Sequence, residues 1–308
     1  MRAITLESFD AAPGLREDLP APTPVDGEVL VRVQASSVNV LDVGIAIGMY
    51  KEMVPHEFPI TLGRDFAGVV EQVGDGVRAV AGGDEVFGEI PMGEPIHNGA
   101  WAELIVSSEQ TLTRKPDGVD TATAGAAPLV AVTAIMAVDA LELSEGDTVL
   151  VVGATGGVGS IVVQLARAAG ATVVAPGLPE DEDYLRGLGV GEVLPREGDV
   201  VAAVREHHPE GGDALFDAVT AYRPTPYDGA LKEGGRVASP TNAAGDGPGR
   251  TNVIHVSSRE ILGRIAQYLT DGTIKIPIQR TYDLAQAPEA LQVLQASHTQ
   301  GKLAIRVA

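Results

Sequence analysis

The chain has 308 residues, with 22 basic and 42 acidic side chains and no cysteine. The net charge of −20 argues against nucleic acid and anionic membranes as partners, because both are bound through clustered Lys and Arg. The missing cysteines exclude disulfides, thiolate zinc sites, iron–sulfur clusters and a cysteine nucleophile. We therefore expect a folded, soluble protein of about two domains.

Short strands with turn signals fill the first part of the chain. They are the β-branched segments RAITLES, EVLVRVQASSV, AGVVEQVG, DEVFGEI and AWAELIVS, bounded by Gly, Pro and Asp. This spacing predicts a Greek-key or barrel-like β domain. The start, MRAITLESFD, alternates like a strand and lacks the character of a targeting peptide, so a cytoplasmic location is expected.

The pattern changes near residue 120, and from residue 148 strands alternate with helices. The segments TVLVVG, ATVVA, EVL, ALFDAV and GRVASP are separated by helical patterns, which predicts a doubly wound parallel sheet. The tail has a strand, a helix and a last strand that we assign to the first domain. The predicted domains are residues 1–122 plus 265–308, and residues 123–264 inserted between them.

A glycine loop is the sharpest local signal. The run TVLVVGATGGVGSIVVQLARAAGATVVA places a strand, a glycine-rich turn, a helix and a second strand in succession. Glycines in such a turn let the backbone approach a pyrophosphate, and the free N–H groups of the helix bind phosphate. The residues predicted to bind a dinucleotide here are Ala154, Thr155, Gly156, Gly157, Val158 and Gly159.

The end of the second strand bears on which dinucleotide binds. NAD-binding proteins have an acid there for the ribose hydroxyls, whereas this strand ends Ala-Pro-Gly177. The missing acid favours NADP, and NAD stays open because no cation lies in the tip itself. The missing acid leaves room for the 2′-phosphate of NADP. Gly177 and Arg196 are the predicted contacts with this end of the cofactor, and Arg186 is another cation within reach. The acidic run 180–183 is expected to cap the next helix.

Several segments together carry a resemblance over essentially the whole chain. They are ASSVNVLDVGIAIGMY, FPITLGRDFAGVVEQVGDGV, GDEVFG, GAWAELIV, AAPLVAVTAIMAV, the glycine loop and LKEGGRVAS. The chain resembles the zinc-independent quinone oxidoreductase branch of the medium-chain dehydrogenase/reductase superfamily. The resemblance implies an α/β fold in which a GroES-like, partly barrel β catalytic domain is interrupted by a Rossmann domain with a doubly wound parallel sheet.

The resemblance also shows where the chain departs from zinc-dependent relatives. Those relatives carry cysteine where this chain has Asn39, and Gly-His-Glu where it has Gly63-Arg64-Asp65. The six histidines lack ligand spacing, and a catalytic zinc needs about three protein ligands. We therefore expect no zinc, and an ion pair between Arg64 and Asp65.

Further site residues follow from the resemblance. Asn39, Asp42 and Tyr50 are implied to line the substrate and nicotinamide region as catalytic residues, and Asn39 also to contact the cofactor. The Tyr50 hydroxyl would bind a carbonyl oxygen or relay a proton, although structural roles for all three remain open. Three other residues are predicted to contact the cofactor. They are Thr133 at the nicotinamide, and Thr241 and Asn242 at the carboxyl end of the sheet.

These observations predict an NADPH-dependent, zinc-free reductase that transfers hydride to a quinone or an α,β-unsaturated carbonyl. Two alternatives remain: an enoyl-thioester reductase, and a nucleotide-binding structural or regulatory protein with little turnover. The expected partner is a small-molecule carbonyl compound or quinone, without nucleic acid or membrane. The resemblance also implies a homodimer that pairs through an edge strand of the nucleotide domain, for which residues 252–256 are the candidate, because an uncovered edge strand favours pairing.

Overall fold

The computed structural model describes all 308 residues. The strands are β1 (Ala3–Leu6), β2 (Gly14–Arg16), β3 (Glu28–Val38), β4 (Ile60–Thr61), β5 (Asp65–Val73), β6 (Glu85–Glu89), β7 (Leu104–Ser108), β8 (Leu112–Arg114), β9 (Thr148–Val152), β10 (Thr172–Gly177), β11 (Glu192–Pro195), β12 (Gly212–Asp217), β13 (Leu231–Ser239), β14 (Arg250–Asn252), β15 (Ile278–Asp283) and β16 (Lys302–Arg306). The helices are α1 (Val40–Ala46), α2 (Thr121–Ala126), α3 (Pro128–Leu141), α4 (Gly157–Ala168), α5 (Glu182–Leu188), α6 (Val200–His207), α7 (Arg259–Asp271) and α8 (Ala287–Ala296).

The chain divides into two compact units. Unit 1 contains Met1–Leu129, Ser257–Asp271 and Ile278–Ala308, and unit 2 contains Val130–Val256 and Gly272–Pro277. The predicted limits, 1–122 plus 265–308 and 123–264, stay a proposal for the functional domains.

Unit 1 is built around the long strand β3, whose alternate valines are fully buried. One edge of β3 pairs with β5, while the other pairs with β7 along its first part and with β16 along its last part. The resulting seven-stranded sheet has the order β15-β16-β3-β5-β6-β8, with β7 beside β3. A second sheet has the order β2-β1-β4. The β domain predicted from the sequence is thereby confirmed.

Unit 2 is a six-stranded sheet of order β11-β10-β9-β12-β13-β14, and every neighbouring pair is parallel. The order runs outward in both directions from β9 and β12, so the point between these two strands is the topological switch point where ligands bind. The doubly wound parallel sheet predicted from the alternation of strands and helices is confirmed.

The edge strand of this sheet differs from the predicted one. The resemblance implied an edge strand over 252–256, but β14 ends at Asn252. Its partner β13 ends at Ser239, which pairs with Asn252, so the residues that follow have no neighbouring strand to continue the ladder. Val253 makes one last bond, from its N–H to the Ser239 carbonyl at 2.8 Å.

Candidate functional site

The glycine loop of unit 2 brings backbone atoms into contact that side chains would separate. Gly153 has φ of 89°, a left-handed conformation that favours glycine. A Cβ on Gly159 would lie 2.0 Å from the Gly153 carbonyl oxygen, far inside van der Waals contact. The first turn of α4 therefore packs directly on the end of β9, as close helix–strand packing at a dinucleotide site requires.

The N-terminus of α4 has the form of an anion cradle. Gly156 precedes the helix in an extended conformation, and the Gly156 carbonyl accepts the first helical hydrogen bond, from the Ser160 N–H at 2.9 Å. An α-helix leaves its first N–H groups without intrahelical partners, which makes those of Gly157 and Val158 available to phosphate oxygens. Residues 155–158 are only half-buried, whereas Ala154 is buried. These residues fit the pyrophosphate of a dinucleotide.

The end of β10 distinguishes between the two arginines considered for a 2′-phosphate. Arg186 is committed to its own helix, because its guanidinium pairs with Glu182 at 2.9 Å. Arg196 follows β11, and its N–H donates to the Gly177 carbonyl at 2.9 Å. Its side chain is exposed and forms no ion pair. The backbone of Arg196 is therefore fixed beside the tip of β10, and its side chain is exposed there.

The acidic run 180–183 lies beside this tip. Asp181 is fully buried, and its carboxylate accepts the Leu178 N–H at 3.1 Å. Glu182 pairs with Arg186, while Glu180 and Asp183 are exposed. Asp181 is the residue just before α5, but its side chain makes no hydrogen bond to the first turn of that helix, so the expected capping of α5 by a side chain is wrong. Asp181 instead closes the turn at Leu178, and Glu182 pairs within the helix.

The predicted residues on the other half of the sheet also lie at its carboxyl edge. Thr241 follows β13, and its hydroxyl donates to the Thr220 carbonyl. Asn242 is exposed with φ of 62°. The buried Thr133 hydroxyl lies 2.9 Å from Nδ1 of His255, which follows β14. Sequence reasoning missed His255, because a lone histidine in an alternating apolar segment carries no signal of its own.

In unit 1, Asp65 is the centre of a buried hydrogen-bond network. Its Oδ2 accepts from the Ser37 hydroxyl at 2.5 Å and from the Asn39 amide at 2.8 Å, and its Oδ1 accepts the Leu129 N–H at 2.7 Å. Lys302, on the last strand, lies 3.5 Å from the same carboxylate. These contacts compensate the Asp65 carboxylate for the loss of its contacts with water, from which it is wholly removed.

Lys302 and Asn39 complete this network. The ammonium of Lys302 donates to the Val38 carbonyl at 3.0 Å and to the side-chain oxygen of Asn39. Burial lowers the pKa of Lys302, and the carboxylates of Asp65 and Asp42 act in the opposite direction. Both ends of the Asn39 amide are thus engaged within unit 1, and each end keeps one further hydrogen-bonding position.

A second buried ion pair joins Arg64 to Asp42. Nε of Arg64 lies 4.0 Å from Oδ1 of Asp42, and neither atom has a hydrogen-bond partner. The rest of the guanidinium donates to three carbonyls, at Asn98 (2.5 Å), Thr61 (3.4 Å) and Pro91 (3.5 Å). The ion pair expected between Arg64 and Asp65 is wrong. Asp65 begins β5, and neighbouring residues on a strand point to opposite faces.

The carboxyl group of Asp42 is fully buried, which disfavours its ionised form. Its Oδ2 accepts the Asn39 N–H at 2.8 Å at the start of α1. Burial raises the pKa of Asp42 to about 6, although the nearby Arg64 guanidinium favours the ionised carboxylate. Burial also lowers the pKa of Arg64, against the effect of Asp42 and Glu89.

This raised pKa predicts a pH dependence of stability. A carboxyl group with a higher pKa when folded binds its proton more tightly in the folded chain, so its contribution to the free energy of unfolding falls as pH rises from about 4 to about 6. The decrease is about 3 kcal/mol. Asp42→Asn keeps an oxygen for the Asn39 N–H and is expected to remove this decrease. Urea unfolding at pH 4 to 8 checks it, and an unchanged pH profile in the variant would contradict the assignment.

The residues predicted from the sequence divide between the two units. Asn39, Asp42 and Tyr50 lie together in unit 1, on α1 and the turns at its two ends. The glycine loop, Gly177, Arg196, Thr133, Thr241 and Asn242 all lie in unit 2. Nowhere do three His, Asp or Glu side chains come together in a way that could hold a metal ion. The zinc-free character expected from the sequence stays a prediction.

Comparisons with known proteins agree with this architecture. Residues 25–117 match the alcohol dehydrogenase GroES-like domain, and residues 188–305 match a zinc-binding dehydrogenase domain. The quinone oxidoreductase from Coxiella burnetii superimposes with a TM-score of 0.88 at 27% identity, covering 100% of this chain and 99% of that one. The NADPH-dependent alkenal/one oxidoreductase of Arabidopsis thaliana is 30% identical, over 98% of this chain and 75% of its own length.

Similarity also extends to segments of much larger proteins. A mycocerosic acid synthase-like polyketide synthase of Mycobacterium tuberculosis is 32% identical over 100% of this chain, which spans only 15% of the synthase. Erythronolide synthase EryA2 of Saccharopolyspora erythraea is 33% identical, and the chain spans 8% of its length.

The chain combines a parallel sheet that has a glycine-loop cradle with a GroES-like β unit. These features, together with the relatives, define the class of protein as a nicotinamide-dependent oxidoreductase. The chain belongs to the medium-chain dehydrogenase/reductase superfamily, and its relatives include quinone oxidoreductases.

Proposed function

We propose that the chain is an NADPH-dependent, zinc-free reductase of quinones or α,β-unsaturated carbonyl compounds. One observation carries the proposal. At the positions where zinc-dependent relatives place metal ligands, Asn39, Arg64 and Asp65 bind other residues of unit 1. Acceptors whose double bonds are already conjugated to a carbonyl need no metal to polarise them. The names of the Arabidopsis and Coxiella relatives support this class of acceptor.

The chain's residues bind and orient, and the bound nicotinamide supplies the hydride. The first turn of α4 would hold the pyrophosphate, Arg196 the 2′-phosphate, and Thr133 the nicotinamide end. On the acceptor side, the Tyr50 hydroxyl would donate a hydrogen bond to the carbonyl oxygen that gains charge as hydride arrives. Asn39 and Asp42 are buried, so they would act by fixing α1 and the turn that carries Tyr50.

Exposed apolar side chains on the segment of chain that carries Tyr50 support an apolar acceptor. On α1 and the turn after it, Val40 is 75% exposed and Met53 is 74% exposed, and Ile47 and Met49 are also exposed. An apolar group placed against these side chains is removed from water, which is favourable. A charged acceptor gains nothing from them.

The reaction is tested by following NADPH oxidation with a panel of quinones, enones and enoyl thioesters. We expect turnover with quinones or enones. Tight NADPH binding without turnover of any acceptor would contradict the proposal and would favour a nucleotide-binding structural or regulatory role.

Cofactor choice is tested separately at Arg196. Arg196→Ala is expected to weaken NADPH binding by about 10-fold, because it removes the cation proposed for the 2′-phosphate. Binding of NADH, which has a hydroxyl at that position, should stay unchanged. Arg186→Ala is the matched control, since that guanidinium is paired with Glu182. Titration calorimetry with both cofactors checks the result, and equal losses for NADPH and NADH would contradict it.

A second candidate function is reduction of an enoyl thioester. The similarity to segments of two polyketide synthases favours it, since such proteins assemble acyl chains. The same panel distinguishes the two functions, because an enoyl-thioester reductase would turn over the thioester faster than any quinone or simple enone.

We also propose that the protein is a cytoplasmic homodimer. The short edge strand β14 presents an unpaired side, and Ile254 just after it is 77% exposed. Exposed edges of this kind favour pairing with another chain. None of the helices combines the length and apolar character needed to span a bilayer. Sedimentation velocity at micromolar concentration checks the dimer, and a single monomeric species would contradict it.

A further inference from the structure

Tyr50 lies over a glycine in the helix that precedes it. Helix α1 ends at Ala46, and the chain turns at Gly48 so that the Tyr50 ring folds back onto the helix. A Cβ on Gly44 would lie 2.7 Å from Cε2 of the ring, 3.0 Å from the hydroxyl oxygen and 3.1 Å from Cζ. The hydroxyl end of Tyr50 therefore occupies the space that any side chain at position 44 would fill.

The glycine is unfavourable for the helix that contains it. Glycine in the middle of a helix is less stable than alanine because it loses more backbone freedom on folding. Gly44 does not have a left-handed conformation, so alanine fits its backbone. Outside the helix backbone and the two neighbouring residues, the three atoms nearest to the added Cβ all belong to the Tyr50 side chain. The backbone at position 44 therefore does not require glycine, and the closest contact of an added Cβ is with the tyrosine.

We propose that Gly44 is a positioning residue for Tyr50, and that the bare helix face at Gly44 sets where the hydroxyl meets the acceptor. The inference rests on the proposed function, in which Tyr50 contacts the acceptor. A methyl group at position 44 moves the ring off the helix and shifts its hydroxyl. Because the displaced atoms are the end of a half-buried side chain, the fold accommodates this shift.

The test compares Gly44→Ala, Tyr50→Phe and the double variant. Gly44→Ala is expected to lower kcat by about 10-fold to 100-fold, because small displacements of a reacting group have effects of this size. The NADPH dissociation constant should stay unchanged, and the Tm should not fall. Tyr50→Phe should lower kcat similarly, and Gly44→Ala should then add less than about 2-fold in the Tyr50→Phe background.

Gly263→Ala is the matched control. Gly263 lies in α7 of the same unit, and a Cβ there meets nothing within 4 Å. It receives the same change from glycine to alanine in a helix without any ring to displace. We expect its kcat to match the unmodified enzyme and its Tm to stay equal or rise.

The outcomes separate the inference from the proposed function. Unchanged turnover in Tyr50→Phe would overturn the role of Tyr50, and this inference with it. Reduced turnover in Tyr50→Phe with unchanged turnover in Gly44→Ala would overturn the inference alone, as would additive losses in the double variant. If Gly44→Ala lowers the Tm, Tyr50→Leu in that background should restore it, because the clash is with the ring. Failure to restore the Tm would overturn the inference.

Discussion

Gly157→Asp is expected to weaken NADPH binding by at least about 100-fold, which corresponds to about 2.7 kcal/mol. The new carboxylate would stand at the first residue of α4, where the free N–H groups and the helix dipole attract anions. It would compete for those N–H groups and repel the pyrophosphate. The same carboxylate is favourable for the helix itself, so the Tm without cofactor should not fall. Titration calorimetry and thermal unfolding measure the two effects.

Gly157→Asn separates charge from size in this experiment. Asparagine has nearly the same shape as aspartate but no charge, so it should cause a smaller loss of NADPH affinity. Equal losses in the two variants would mean that the side chain acts by blocking the approach. Unmodified affinity in Gly157→Asp would contradict the placement of the pyrophosphate at this helix.

Much of the fold follows from local patterns in the sequence. The strand EVLVRVQASSV was predicted with the bounds that β3 has, 28–38, because its apolar residues alternate. The order of β9, glycine-rich turn, α4 and β10 follows from the sequence too, because the glycines and the helical spacing meet in that run. Short strands such as β2 and β4 were missed, since two or three residues carry no periodicity. Helix α7 was missed although its sequence is amphipathic.

The buried polar groups of unit 1 were less predictable for a physical reason. Lys302 binds the side chain of Asn39 across 263 residues of sequence, and no local pattern connects them. Arg64 and Asp65 are adjacent, which suggested a pair, but the strand sends them to different partners. The sequence shows that Arg64 and Asp65 replace the residues of the metal-binding pattern. Their partners depended on which strands lie side by side.

The buried guanidinium of Arg64 is expected to make a large contribution to the stability of unit 1. Arg64→Met is expected to lower the free energy of unfolding by about 3–5 kcal/mol, the usual effect of removing one partner of a buried ion pair. It leaves Asp42 without its nearest cation, and three carbonyls lose a donor. Methionine fills similar space, so the loss reflects charge and hydrogen bonds rather than a cavity. Urea unfolding measures it.

Two comparisons show whether the destabilisation in Arg64→Met comes from burial: its dependence on pH, and the same substitution at a surface arginine. Asp42 can take up a proton once Arg64 is gone, so the destabilisation should be larger at pH 8 than at pH 5. Arg16→Met is the control, because Arg16 pairs with Glu7 and Asp18 at the surface, where such pairs contribute little to the free energy of unfolding. Arg64→Lys keeps the charge but cannot reach three carbonyls, so it should recover only part of the loss. A destabilisation in Arg64→Met no greater than in Arg16→Met would contradict the assignment of Arg64 as the cation that holds this part of unit 1 together.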